Sequence, residues 1–367
     1  MNEYRPAWWL PGPHAVTIWG KFGRKEPAPT LRWERLDTPD GDFLELAHLD
    51  TSACALALAA ALQYVARSNP AALEAHHVHP TLPVRRHQLT LDTTPRLFVM
   101  HGLEGGADAN YVRGLMREAS ARSWNATVML FRTCGPTPNK ATRSYHSGET
   151  TDPLLALQHL AKLQPLAPIG AVGYSLGGNV LCKLLGEQGE AILPQLKAAV
   201  AVSAPFDLAR ASRYIGQGFG KVYENAFLRS LVPKARAKMQ RHPELANLKP
   251  LNDVRTIWDF DDQFTSPVHG FVDAADYYAK SSSLQFLKGI RRPTLLLNAV
   301  DDPFLPPAVL DDVRAVTSSN SAITLEFPAH GGHVAFASGP TPARPFYYAE
   351  WRAAEFLRAQ FANASRT

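Results

Sequence analysis

The chain has 367 residues, 46% hydrophobic and 19% charged, which is ample material for a large buried core built as one α/β domain with insertions or as two domains. Thirty-eight basic against 33 acidic residues leave a net charge of +5, and the basic residues are scattered, so composition makes no specific case for nucleic acid. Three cysteines, Cys54, Cys134 and Cys182, are too few and odd in number for a disulfide framework and fit a reducing compartment.

The N-terminal stretch MNEYRPAWWLPGPHAVT lacks the continuous apolar region of a signal peptide. The longest apolar run, Ala53 to Ala66, is shorter than the roughly 20 residues a membrane span needs. A cytoplasmic location is therefore expected. Thr38-Pro39-Asp40-Gly41 is turn chemistry between two strand-like runs and predicts a β-hairpin. Residues 51–68 predict an Ala-rich helix, and the prolines at 70, 80 and 83 predict a loop over 69–83. That loop carries HHVH, His76 to His79, which has no acidic or Cys partner at ligand spacing and reads as solvated, so no metal is expected. His87 and Asp92 fit H-x-x-x-x-D, which reads as coincidence within a strand and turn.

From about Arg96 the pattern becomes strand–helix alternation. RLFVMH, ATVMLFR, IGAVGY, AAVAVSA, TLLLNAV and AITLEF read as short apolar strands. YVRGLMREASARS, TDPLLALQHLAKL with Thr151 as N-cap, and LGGNVLCKLLGEQ with a stripe of Val180, Leu181, Leu184 and Leu185 read as helices. Such alternation predicts an α/β fold with a mostly parallel, doubly wound sheet covered on both faces. Between Phe206 and Ile290 the alternation stops, which predicts a helical insertion capping one edge of the sheet. PFYYAEWRAAEFLRAQF predicts a closing amphipathic helix.

The sharpest motif is GYSLGG, matching G-x-S-x-G at Ser175 between an apolar strand and a helix. That context is the nucleophile elbow, in which the serine sits on a strained turn and its neighbours two residues away must be small, as Gly173 and Gly177 are. Oxyanion stabilisation would come from the backbone N–H of Leu176 and, from HGLEGG after an early strand, of Leu103, with Gly102 allowing close approach. A serine nucleophile needs a base and an orienting carboxylate. In chain order Ser, acid, His, the pair Asp301/Asp302 follows one strand, and His330 and His333 follow the next; the glycines at 331 and 332 point to His333.

The chain resembles the YheT-like branch of the α/β-hydrolase superfamily. The resemblance rests on WWLPGPHAVTIWG, TPDGDFLEL, HGLEGGADANYVRGL, RSYHSGETTD, GYSLGGNVLCKLLGE, FDDQFTSPVHGF, NAVDDPFLP and GGHVAF. It implies a triad of Ser175, Asp302 and His333, esterase or lipase-like activity on carboxylic esters, and no cofactor. Pro303 biases Asp302 towards extended backbone, and superfamily loops commonly set the acid four residues before a proline, here Pro306, which leaves Asp301 as the solvated or turn-capping partner. The domain plan is then an N-terminal segment over 1–94, hydrolase core over 95–206 and 291–367, and a cap over 207–290. An acyltransferase or thioesterase using the same triad, and a catalytically silent binding protein on the same fold, are the alternatives. The sequence departs from the family at Val16-Thr17, at Arg132-Thr133-Cys134 and in the long stretch between Asp50 and Pro95.

His146 in RSYHSGETTD reads as structural. In the cap, Arg229, Lys234, Arg236, Lys238 and Arg241 read as a solvated helix face, with weak membrane-surface contact as the other reading. Asp261 and Asp262 are expected to pin the cap.

Overall fold

The computed structural model describes residues 4–51 and 92–364. The Ala-rich helix expected over 51–68, the HHVH loop, Cys54 and His87 lie outside the described residues apart from Thr51.

Turn chemistry at residues 38–42 folds as expected. β1 (Arg32–Asp37) and β2 (Phe43–Leu49) pair antiparallel, and Gly41, at φ 78°, takes a left-handed position in the turn. The turn is tied to the sheet by Arg132, whose buried guanidinium reaches Asp40 at 2.8 Å, Asp42 at 3.2 Å and Asp152 at 2.7 Å. β3 (Arg96–Met100), β4 (Asn125–Leu130), β5 (Ile169–Tyr174), β6 (Leu196–Val202), β7 (Thr294–Leu297) and β8 (Ile323–Glu326) complete an eight-stranded sheet in the order β1-β2-β4-β3-β5-β6-β7-β8. β2 runs antiparallel to both neighbours; from β4 to β8 every pairing is parallel.

The covered faces explain the unbroken apolar strands. Every residue of β3, β4 and β5 is buried. On one face pack α3 (Thr151–Leu163) and α4 (Leu176–Gln188); on the other, α2 (Asn110–Ala121) and the C-terminal helix. A short α1 (Gly12–Ile18) precedes β1. Between β6 and β7 lie α5 (Leu208–Ile215), α6 (Gly220–Arg241), α7 (Ile257–Phe260), α8 (Ser266–His269) and α9 (Ala274–Ser281); α10 (Ala308–Thr317) follows β7.

Four local expectations are corrected or refined. Thr151 does not cap α3. It is the first helical residue, and Glu149 takes the free first-turn amides, accepting from Thr151 N at 2.8 Å and Asp152 N at 3.2 Å. The stripe of Val180, Leu181, Leu184 and Leu185 on α4 is buried as expected, but burial extends to every residue from 176 to 185, because the turn at Ser283–Gly289 covers the far side. There the backbones touch, since a Cβ on Gly186 would lie 2.1 Å from the Phe286 carbonyl oxygen. The buried Asn179 is satisfied between Ser147, Ser281 and Ser283. Third, the closing helix forms but starts later than expected: α11 runs Tyr348–Ala364, while Pro345–Tyr347 belong to β10 (Arg344–Tyr347), which forms a hairpin with β9 (Ala337–Thr341). Fourth, the basic face of α6 is not wholly solvated. Lys238 is 2% exposed and donates to the carbonyls of Ala141 (2.8 Å) and Arg143 (2.7 Å), and burial pulls its pKa down to about 8.

Asp261 and Asp262 do hold the inserted helices together. Asp261 accepts from Thr265 and Tyr278, each at 2.6 Å, and Asp262 from the Ala274 N–H at 3.1 Å.

Candidate active site

The C-terminal ends of β3, β5, β7 and β8 converge below the inserted helices, the edge where ligands bind in open α/β sheets. Ser175 stands between β5 and α4 with φ 52° and ψ −120°, a backbone conformation that costs a non-glycine residue about 1–3 kcal/mol. Its N–H donates to Val202 O on β6 (2.8 Å), and its carbonyl accepts from Gly178 and Asn179 in the first turn of α4. The turn is so tight that a Cβ on Gly173 would lie 2.3 Å from Gly177 O, and one on Gly177 would lie 2.5 Å from Met100 O. Both obstacles are backbone. Gly177→Ala is therefore expected to destabilise the fold by about 1–3 kcal/mol, read as a lowered thermal midpoint.

The side chains of Ser175, His333 and Asp302 form one chain of hydrogen bonds. His333 Nε2 lies 2.9 Å from Ser175 Oγ, and His333 Nδ1 lies 2.9 Å and 3.1 Å from the two carboxylate oxygens of Asp302. The Asp302 side chain is buried, and its Oδ1 also accepts from Phe304 N–H at 2.9 Å. An ionised carboxylate only accepts, so the proton sits on Nδ1 and leaves Nε2 to accept from the serine. Asp301 turns elsewhere. It accepts from Gly332 N–H (2.9 Å) and contacts the exposed His330 ring at 3.1 Å.

Three consecutive amides of the histidine loop are each held by a side-chain oxygen from a different part of the chain. Gly332 donates to Asp301, His333 to Thr17 Oγ1 (2.9 Å) and Val334 to Ser203 Oγ (2.9 Å). Thr17 is fixed by donating to Pro13 O at 2.7 Å. A Cβ on Gly332, at φ 61°, would lie 2.8 Å from both Pro13 O and Thr17 Oγ1, so α1 seats directly on this loop. Sequence reading marks Thr17 only as a departure from a family signature and assigns Ser203 nothing. A partner 316 residues away leaves no local signal.

The loop after β3 is braced on every side of Leu103. Gly102 N–H donates to Tyr111 OH (2.9 Å), Glu104 N–H to Tyr145 OH (3.0 Å), and Gly105 N–H to Gly102 O (3.0 Å). Among the described residues no acceptor takes the Leu103 N–H. A Cβ on Gly102 would lie 3.1 Å from Ser175 Cβ, which places this loop against the serine. Leu176 opens α4, where the first amides have no partner within the helix. His101, fully buried, spans the loop and the end of β4: its Nδ1 donates to Gly102 O (2.8 Å) and its Nε2 accepts from Phe131 N–H (3.2 Å). Burial lowers its pKa to about 4, so it stays neutral in this role. From above, Lys234 of α6 reaches Glu104 at 2.8 Å, and Ser230 bonds the same carboxylate.

A cavity of about 310 Å³ opens over Ser175 and His333. Its walls include Leu208, Ile215, Phe227, Leu231, Phe260 and Phe264 from the inserted helices. His146 also borders it. Burial lowers its pKa to about 4, its Nδ1 accepts from Gly148 N–H, and its ring packs on His269, Phe271 and Tyr277. Asp92 lies away from this site, at a turn where it accepts from Thr94 N–H and Gln164.

Residues 95–340 match the family model of the alpha/beta hydrolase fold. The chain belongs to the α/β-hydrolase family. Within it, the chain is 36% identical over 346 residues to an Escherichia coli protein named "Putative esterase YheT", covering 94% of this chain and 89% of that one. It is 29% identical to a monoacylglycerol lipase of Saccharomyces cerevisiae over 71% of this chain and 58% of the yeast protein. It is 27% identical to human phospholipase ABHD3 over 70% of this chain and 62% of that one. The esterase Pf2001 of Pyrococcus furiosus superposes with a TM-score of 0.51 at 13% identity, covering 91% of this chain and 92% of that chain, a likeness of fold alone. YheT-like membership is thus shared over nearly the whole chain, and relatives within the α/β-hydrolase family are named for ester-cleaving activities.

Proposed function

We propose that the chain is a serine hydrolase that cleaves carboxylic esters through an acyl-enzyme. The observation that carries this reading is the hydrogen-bonded relay from Ser175 through His333 to the buried Asp302, at the floor of an apolar cavity. Ser175 Oγ attacks the ester carbonyl while His333 Nε2 takes its proton. Asp302 keeps the second proton on Nδ1 and balances the imidazolium as it forms. The N–H groups of Leu103 and Leu176 receive the negative oxygen of the tetrahedral intermediate. His333 then returns the proton to the departing alcohol, and a water activated by the same nitrogen releases the acid.

The apolar walls suit an aliphatic or aromatic acyl chain. A series of 4-nitrophenyl esters of increasing chain length, compared with acyl-CoA under the same conditions, tests the class. Hydrolysis of esters ahead of acyl-CoA is expected, with kcat/KM rising with chain length until the cavity is filled. Faster turnover of acyl-CoA than of any ester would assign the site to thioesters.

The histidine loop supplies a further test. Thr17→Val removes the acceptor for His333 N–H at nearly constant volume, and is expected to lower kcat roughly ten- to a hundredfold with KM little changed, because small misplacements of a catalytic group are costly. Thr17→Ser restores the hydroxyl and should recover most of the rate. Equal kcat for Thr17→Val and the parent would remove α1 from the catalytic arrangement.

A further inference from the structure

Two segments distant in sequence meet beside the histidine. One is α1 with the helical turn Trp19–Gly23 that continues it, and the other is the start of α6. His14 joins them: its ring lies 4.5 Å from Phe219, and its Nδ1 is 3.2 Å from Tyr223 OH. The Tyr223 ring lies 4.9 Å from Phe304, which stacks on the His333 imidazole at 4.0 Å. A file of rings therefore leads from the imidazole out to Phe219 at the surface.

The outer end of this file is apolar and open to solvent. Phe22 is 72% exposed, Val222 55%, Phe219 47% and Ile18 38%. His14, Ile18 and Phe22 follow at intervals of four, the spacing of neighbours along one side of a helical segment. The exposed charges along these two segments have one sign. From Ile18 to Lys25 and from Arg213 to Arg229, the exposed charged residues are Lys21, Lys25, Arg213, Lys221 and Arg229; the one carboxylate in these stretches, Glu224, is buried. Among the described residues no salt bridge engages Lys21, Lys25 or Lys221. Large exposed apolar side chains rimmed by polar ones mark interaction sites. Apolar side chains interleaved with lysines, with no exposed acid in either segment, complement a surface of acyl chains beneath anionic head groups. No helix among the described residues is long and apolar enough to cross a membrane, so the contact this surface fits is peripheral.

We propose that this lip, formed by Ile18, Lys21, Phe22, Phe219, Lys221 and Val222, seats the protein on an anionic lipid surface. Resting on the ester-hydrolase reading, the same contact delivers lipid esters to the cavity past Phe304. The lipid contact is tested on Ser175→Ala protein, so that binding is read independently of turnover. Co-sedimentation is measured with vesicles of phosphatidylcholine alone and of equal parts phosphatidylcholine and phosphatidylglycerol. The parent should bind the anionic vesicles more tightly. Phe22→Ser with Val222→Ser should weaken that binding more than tenfold. Lys21→Glu with Lys221→Glu should weaken it by more than tenfold on anionic vesicles only, since each lysine near such a surface is worth roughly fivefold. In the active chain the same changes should leave hydrolysis of a short, soluble ester and the thermal midpoint unchanged.

Unaltered binding by either double variant, or no binding by the parent, overturns the proposal. So does a parent dimer in sedimentation velocity that these changes dissociate, which would assign the lip to a second copy of the chain. Absence of soluble-ester hydrolysis in the parent would instead overturn the ester-hydrolase reading, with the vesicle result still standing.

Discussion

Ser175→Ala is expected to lower kcat for ester hydrolysis by roughly 10⁶-fold, the scale seen when a serine nucleophile is removed from an intact relay. The size follows from what remains. Without Oγ, His333 has no group to deprotonate for attack and the acyl-enzyme cannot form. Residual catalysis would come from oxyanion stabilisation and binding alone. The fold should be indifferent to the change, because alanine and serine share a Cβ and both meet the same strain at φ 52°. The thermal midpoint should therefore match the parent, and the loss should appear in turnover rather than in yield of folded protein. A loss below about a hundredfold would mean that another group performs the attack.

Asp302→Asn is the second large effect, with kcat expected to fall roughly 10⁴-fold. An asparagine can present an N–H to His333 Nδ1, which favours the tautomer with its proton on Nε2 and points a donor at the serine hydroxyl. It also leaves the imidazolium without a countercharge. Asp301→Asn should be mild, because an asparagine Oδ1 can still accept from Gly332 N–H, the bond Asp301 makes now. Steady-state kinetics of the two variants side by side separate the roles. A severe loss at Asp301 with a mild one at Asp302 would reverse the assignment by one residue while leaving the serine mechanism in place.

Where fold and site were legible in the sequence, local chemistry was sufficient. Short apolar strands alternating with helices predict a doubly wound sheet, because only a strand buried on both faces can be apolar at every position, as β3, β4 and β5 are. The glycines flanking Ser175 report a steric demand that the close approach of the Gly177 and Met100 carbonyls makes explicit. Other features depend on partners far away in the chain. In the sequence Thr17 is only part of a departure from the family signature until the loop around His333 folds against it. The β9–β10 hairpin is hidden by its own prolines, Pro340 and Pro345, which break the expected strand pattern but fit a short two-stranded ribbon with free edges. Lys238 has the sequence environment of a solvated lysine, and only the carbonyls of Ala141 and Arg143 account for its burial. Glu149 escapes notice as the cap of α3 because it precedes the two threonines that look better suited to the task.

Covalent trapping tests the central claim most directly. Folded parent protein is treated with a fluorophosphonate, digested, and the adduct located by mass spectrometry. Formation of one adduct per chain is expected, on Ser175, with a labelling rate that falls sharply in His333→Ala and no labelling in Ser175→Ala. An unlabelled parent that still hydrolyses esters, or an adduct on a different residue whose formation tracks loss of activity, would contradict the account.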